Sequence, residues 1–147
     1  MSLRKGVTGG GRRKAAASRI GRSGRRGEAI AARHLRRSGY RVVGRNVQTR
    51  VGEIDLLART PDGAVLVVIE VKTRDADAEG IAPERRVGSS KQAKLRQLAG
   101  ALLRQPRYRG AAVRIDVVGV DLPPPSWRDW FGLTRATVRH FPDAVRC

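Results

Sequence analysis

Two apolar runs in this sequence carry charged residues where a buried strand should have none. In "VGEIDLLA" (51–58) Glu53 and Asp55 lie two apart; in "VLVVIEVKTR" (65–74) five apolar residues lead into Glu70, Val71 and Lys72. Side chains alternate along a strand, so Glu53 and Asp55 share one face, and Glu70 and Lys72 share another. A carboxylate or ammonium at the end of a buried strand is costly unless it is paired or bound. Between the runs stands "RTPDGA" (59–64), and Asp-Gly is among the strongest two-residue hairpin signals, with positive φ at both central residues. A turn centred on Asp62 and Gly63, or a four-residue loop from Pro61 to Ala64, sets one and the same register. It predicts Asp55 opposite Glu70 and Glu53 opposite Lys72. A three-residue loop would shift the register by one.

Directly opposed side chains are about 5 Å apart at Cβ. Two carboxylates at that distance repel unless a proton or a cation lies between them. Magnesium is the natural cation, because it takes hard oxygen ligands and is usually held by one or two carboxylates with phosphate and water; manganese is its substitute. The hairpin therefore predicts three carboxylates and one ammonium on a single face. The plainer alternative is that Glu53 and Lys72 form an ordinary cross-strand ion pair, worth under about 1 kcal/mol if exposed. Asp116, between Ile115 and Val117 on a later strand, is expected to be structural.

Helices and strands must position these groups. From Gly27 the pattern is helical, with Glu28, Ala31, Ala32 and Leu35 on one stripe and Gly39 as a stop signal. Strands are predicted over 40–47, 51–58 and 64–72, and a charged loop with Gly80 and Pro83 over 74–87. A helix capped by Ser89 or Ser90 runs to about Arg104, its stripe being Lys91, Leu95, Leu98 and Leu102. A strand spans Val113 to Val120, broken by "LPPP" at 122–125. A loop with Trp127 and Trp130 precedes a last short strand from Thr137 to Phe141. This order predicts an α/β protein, a mixed sheet flanked by helices. Glu28 and Lys91 extend the apolar stripes at the N-terminal ends of their helices, where both can approach the carboxylates. Lys91 can equally snorkel, and Glu28 can simply favour the helix dipole.

The 147 residues include 31 Lys plus Arg against 13 Asp plus Glu, a net charge of +18. That excess calls for an anionic partner. Nucleic acid comes first, because basic side chains displace counterions from phosphates, and an anionic membrane surface second. No apolar run approaches the ~20 residues of a membrane span. Residues 1–26 hold nine of the bases and no acid. They are expected to form a disordered basic arm, either a solubilising tail or a phosphate-seeking one, ahead of a single domain over 27–147. No secretory signal is visible. The single cysteine, Cys147, excludes an internal disulfide, which suits a reducing, cytoplasmic setting. His34 and His140 are too far apart in sequence to form a metal-ligand pair by spacing.

The run "GEAIAARHLRRSGYRVVGRNVQTRVGEIDLLA", followed by "VIEVKTR", Lys91 and "RIDVV", closely resembles the YraN-like family of small bacterial proteins, over roughly residues 27–121. That family in turn resembles the restriction-endonuclease-like nucleases, including archaeal Holliday-junction resolvases, whose motif is an Asp, a spacer and Glu-x-Lys. The motif falls here on Asp55, Glu70 and Lys72, and the resolvases' helix glutamate on Glu28. The resemblance implies a restriction-endonuclease-like core of α-β-β-β-α-β order and a magnesium-dependent endonuclease acting on DNA rather than RNA, on branched or otherwise structured substrates. Asp55, Glu70 and the Val71 carbonyl would bind the metal. Lys72 would orient water or stabilise developing charge. Glu28 would complete the outer shell, and Glu53 would anchor Lys72 or add an acid. Lys91, Arg74 and Arg50 would hold the nucleic-acid backbone. Junction nucleases often act as symmetric dimers, which admits a homodimer. This chain departs from the family in its basic arm and in its tail, which reads Asp143-Ala144-Val145 where the family tends towards Asn-Ala-Phe. Two other readings stand beside the enzyme: a non-catalytic nucleic-acid binder on the same fold, and a protein adaptor using the Trp127/Trp130 loop.

Overall fold

The turn between the two charged strands sets the architecture. A computed structural model describes residues 10–75, 87–124 and 135–146. In it Thr60 and Val65 close a four-residue loop, Thr60 N–H donating to Val65 O at 3.0 Å and Gly63 N–H to Thr60 O at 2.8 Å. Only Gly63 of the Asp-Gly pair takes positive φ (76°). The two-residue hairpin turn is therefore replaced by its four-residue alternative. The reason is local: Pro61 fixes a φ suited to the second position of a type I turn, and Asp62 Oδ1 accepts from Thr60 Oγ1 at 2.5 Å and from Ala64 N–H at 3.0 Å. Both loops give the same register, and that register is observed: Arg59 pairs with Leu66, Ala58 with Val67, Leu57 with Val68 and Leu56 with Ile69.

Around this hairpin the strands β1 (Arg41–Thr49), β2 (Gly52–Arg59), β3 (Val65–Asp75), β4 (Ala112–Leu122) and β5 (Thr137–Val145) form one sheet in the order β1-β2-β3-β4-β5. All neighbours are antiparallel except β3 and β4, which are parallel. A parallel pair needs a crossover, and α2 (Ser89–Leu103) supplies it. The result is the mixed α/β sheet with a helix on each face that the residue pattern predicts.

The core is split by the sheet. On one face α1 (Gly10–Arg37) lays Ala31, Ala32 and Leu35 on Leu56, Ala58, Val67, Ile69, Val118 and Val120. On the other, Leu95, Leu98 and Leu102 of α2 pack on Ile54, Leu57, Leu66, Val68 and Ile115. Val67 and Val68 are both fully buried, one on each face, which explains the unbroken apolar run of β3.

Several boundaries differ from the sequence expectation. The helix begins at Gly10, so residues 10–26, expected as part of a disordered arm, are helical. Ala and Arg are strong helix formers, and adding a turn to a helix already fixed by packing escapes the nucleation cost. The α2 N-cap is Gly88, with no side-chain cap from Ser89 or Ser90; Gln92 reaches back to Val87 O instead, at 2.8 Å. β5 runs four residues past the expected strand, to Val145. The loop with Gly80 and Pro83, the pair Trp127 and Trp130, residues 1–9 and Cys147 lie outside the described residues.

Candidate functional site

The β2–β3 ladder ends at Leu56 and Ile69. One step further, where Asp55 and Glu70 were expected as ladder partners, the strands diverge, and a side chain takes the place of a strand. Asp55 Oδ2 accepts the backbone N–H of Val71 at 2.8 Å. The N–H and C=O of one strand residue point to the same side, so the Val71 carbonyl faces the same gap. Asp55, Glu70 and Lys72 are half-buried around it.

Glu70 is held by two ammonium groups. Lys91 Nζ, from the first turn of α2, lies 2.8 Å from its Oε1, and Lys72 Nζ lies 3.5 Å from the same oxygen. Lys91 thus reaches the cluster rather than snorkelling away. Burial pushes the Asp55 carboxyl up to about 6. The Val71 N–H pulls it down, the negative charges of Glu70 and Glu28 push it further up, and Lys91 lowers it. Glu28, from α1, is therefore close enough for its charge to be felt at Asp55.

Glu53 is the exception. It is exposed, and its expected place opposite Lys72 is not realised because the β2–β3 ladder has already ended. It pairs instead across β1, opposite Gln48. Gln48 Nε2 donates to Glu53 Oε2, and Asn46 Nδ2 bridges Glu53 Oε1 at 3.2 Å and Glu28 Oε2 at 3.1 Å. Neither Asn46 nor Gln48 emerges from the charge pattern. Asn46 has positive φ (48°), close to the β1 irregularity between Val42 and Gly44. The available signal is an asparagine inside a strand: the residue is depleted in strands and enriched in left-handed conformations.

The remaining candidates are more dispersed. Arg50 lines a cleft of about 620 Å³ with Gln48, Arg104 and Gln105, beside the β1–β2 turn. Arg74 is half-buried two residues beyond Lys72 on β3. Among the described residues no three His, Cys, Asp or Glu side chains form a ready-made metal cage. Asp55 and Glu70 with the Val71 carbonyl make a three-oxygen set, two of them carboxylates, which fits a magnesium ion that keeps several waters.

Asp116 is fully buried on β4 and belongs to a separate network. Its Oδ1 lies 2.7 Å from Arg114 Nε and accepts Asp143 N–H at 3.0 Å. Its Oδ2 meets Arg114 Nη2 and His140 Nε2, each at 2.8 Å. Burial alone would raise its carboxyl, but His140, Arg114 and the Asp143 N–H outweigh it and hold it below the ordinary range. An acid so fully satisfied is a structural joint.

No helix among the described residues is long and apolar enough to cross a membrane. A repair endonuclease from Pyrococcus abyssi superposes with a TM-score of 0.41 at 17% identity, over 71% of this chain and 42% of that one. Sequence relatives are closer. A UPF0102 protein of Syntrophus aciditrophicus is 39% identical over 107 residues, 73% of this chain and 82% of its own length. One from Mycobacterium avium is 45% identical over 97 residues (66% and 75%), and one from Frankia alni 46% over 101 (69% and 82%). The model of the Uncharacterised protein family UPF0102 matches residues 27–120, from Gly27 in α1 to Val120 within β4, and the chain belongs to that family.

Proposed function

We propose that this protein is a divalent-metal-dependent endonuclease that hydrolyses DNA phosphodiester bonds in the cytoplasm, on branched or otherwise structured substrates. The observation that supports it best is the convergence of Asp55, Glu70, Lys72 and Lys91 where β2 and β3 part, with the Asp55 carboxyl raised to about 6. Raised carboxylates beside charged partners at a strand end suit a reaction site. A bound magnesium or manganese ion would polarise the scissile phosphate and lower the pKa of an attacking water.

Each residue has a role in that reading. Asp55 and Glu70 hold the ion, with the Val71 carbonyl as a neutral ligand. Lys72 and Lys91 occupy Glu70 in the free protein; on substrate binding Lys72 turns to the phosphate or the attacking water, where positive charge stabilises the developing transition state. Glu28, tied to Glu53 through Asn46, orders the outer waters. Arg74 and Arg50 grip the backbone without reading sequence.

The test uses linear, nicked and four-way-junction DNA with magnesium, with manganese and with EDTA. Wild type should cut at least one substrate only with metal. Asp55→Ala and Lys72→Ala should each lose cutting by about a hundredfold or more while still binding DNA. Binding by wild type with no cleavage of any substrate would sink the enzyme and leave a nucleic-acid binder on the same fold, which the +18 charge supports equally.

A further inference from the structure

A second charged feature lies away from the acid cluster. Between α1 and β5 runs a cleft of about 570 Å³ whose rim carries Arg26, Arg33 and Arg37 from the helix and Arg135 just before the strand. Its floor is apolar, with Ile30 and Val138 half-buried, and His34 stands half-buried at one side. The four guanidinium groups are exposed and make no ion pair among the described residues. Among the described residues that line the cleft there is no carboxylate. The described lining is thus cationic and apolar.

Its length identifies the ligand class. Arg26 and Arg37 are eleven residues apart on a helix, about 16 Å at ~1.5 Å per residue. One strand of a nucleic acid carries a phosphate about every 3.4 Å of axis, so the row spans several phosphates in line. A lone phosphate would need converging donors, not a row. The apolar floor gives sugars or base faces a surface to lie on. The position relative to the acids is also defined. β5 is two strands from β3, on the order of 10 Å, and Arg37 is about 13 Å along α1 from Glu28.

We infer that the α1–β5 cleft is a second nucleic-acid backbone site, gripping the sugar-phosphate chain several nucleotides from the acid cluster. The inference rests on the reading that this protein handles nucleic acid, and it does not require cleavage. It gives the basic face of α1 a task distinct from that of Glu28 on the same helix.

The test measures binding of the full chain in EDTA to a labelled short duplex and to its separated single strand, across a salt titration. The double variant Arg33→Ala/Arg37→Ala is compared with Arg36→Ala/Arg109→Ala, which removes the same charge at exposed positions outside the cleft. The cleft pair should lower the slope of log affinity against log salt by about two and weaken binding by about tenfold near 0.1 M salt. The control pair should shift both far less. A greater loss on the single strand assigns the cleft to an unpaired strand, and a greater loss on the duplex to a duplex arm; either supports it. Equal effects of the two pairs would overturn the proposal. So would unchanged nucleic-acid binding with lost binding to phosphatidylserine vesicles, which would make the cleft a membrane contact. Because EDTA suppresses cutting, a protein that binds through the cleft and never cleaves would refute the nuclease reading alone.

Discussion

Asp55 stores an electrostatic cost that a cation would relieve. Its folded value of about 6 lies above the ordinary 3.8, chiefly because of burial. The folded state therefore binds the Asp55 proton more tightly than the unfolded chain does. The penalty is absent below about pH 4 and fully present above about pH 6, so this residue makes stability fall as pH rises through that window. Asp55→Asn removes the charge and keeps an oxygen for the Val71 N–H. Near neutral pH without metal, the variant should be more stable than wild type by on the order of 1–2 kcal/mol. The gap should close below about pH 4, and added magnesium should raise the melting temperature of wild type only. Melts at the two pH values decide it: a variant equally destabilised at both would contradict the raised carboxyl. At limiting magnesium, cleavage by wild type should gain a limb as Asp55 ionises, near pH 6 for the metal-free protein and lower as magnesium is raised. At this scale the sequence is informative where charge interrupts an apolar run, as at Asp55, Glu70 and Lys72. It is silent on Asn46 and Gln48, whose amides matter only once pairing of β1 with β2 and packing of α1 have brought them beside Glu28 and Glu53.

Between elements, the approach of α1 to β3 decides where Glu28 sits. Gly27 is buried, and a Cβ there would overlap the Thr73 side chain. The helix thus meets the strand through a glycine one residue before Glu28 and beside Lys72. Gly27→Ala should force the two apart and cost about 1–3 kcal/mol, despite alanine's better helix propensity. It should also lower cleavage by displacing Glu28. Thr73→Ala removes the colliding atoms, so the double variant should recover most of the stability, giving a coupling of at least about 0.5 kcal/mol in a double-mutant cycle by urea unfolding. Strict additivity would mean that the close approach does not hold. The helices and strands themselves are legible, because the 3.6-residue stripe of α1 and the unbroken apolar run of β3 are written in local sequence. The helix start is not legible: polar, glycine-containing residues gain helicity only by extending a turn that Ala31, Ala32 and Leu35 anchor on the sheet. The hairpin loop is legible in register but not in type, since Pro61 decides between two turns with the same outcome.

Across the whole molecule, the Asp116 network ties together parts of the chain that local sequence leaves unrelated. Arg114 binds Asp116 and donates to the Tyr40 hydroxyl at 2.9 Å, linking β4 to the segment between α1 and β1. His140 and the Asp143 N–H bring in β5, where Asp143 adopts positive φ (53°) beside the irregularity opposite Ile115 and Val117. Tyr40 and His140 close the circuit edge to face, with ring centroids 5.3 Å apart. These partners are up to about a hundred residues apart, which is why charge spacing marks Asp116 as a sheet-face acid and says nothing of what it binds. Its carboxyl is held below the ordinary range, so its contribution is present above about pH 4 and lost only as pH falls below that. The Asp55 penalty runs the other way, so the two carboxyls act in opposite directions on the stability of metal-free protein as pH falls. Asp116→Ala leaves the half-buried His140 and Arg114 without their shared acceptor and should cost about 3 kcal/mol or more in urea unfolding. Assayed well below its lowered melting temperature, the variant should still bind and cut DNA within about threefold of wild type, because no hydrogen bond or ion pair found among the described residues joins the network to the cluster around Asp55. If cutting instead disappears while stability is unchanged, Asp116 is part of the reaction machinery, and the division into one reactive and one structural acid cluster is wrong.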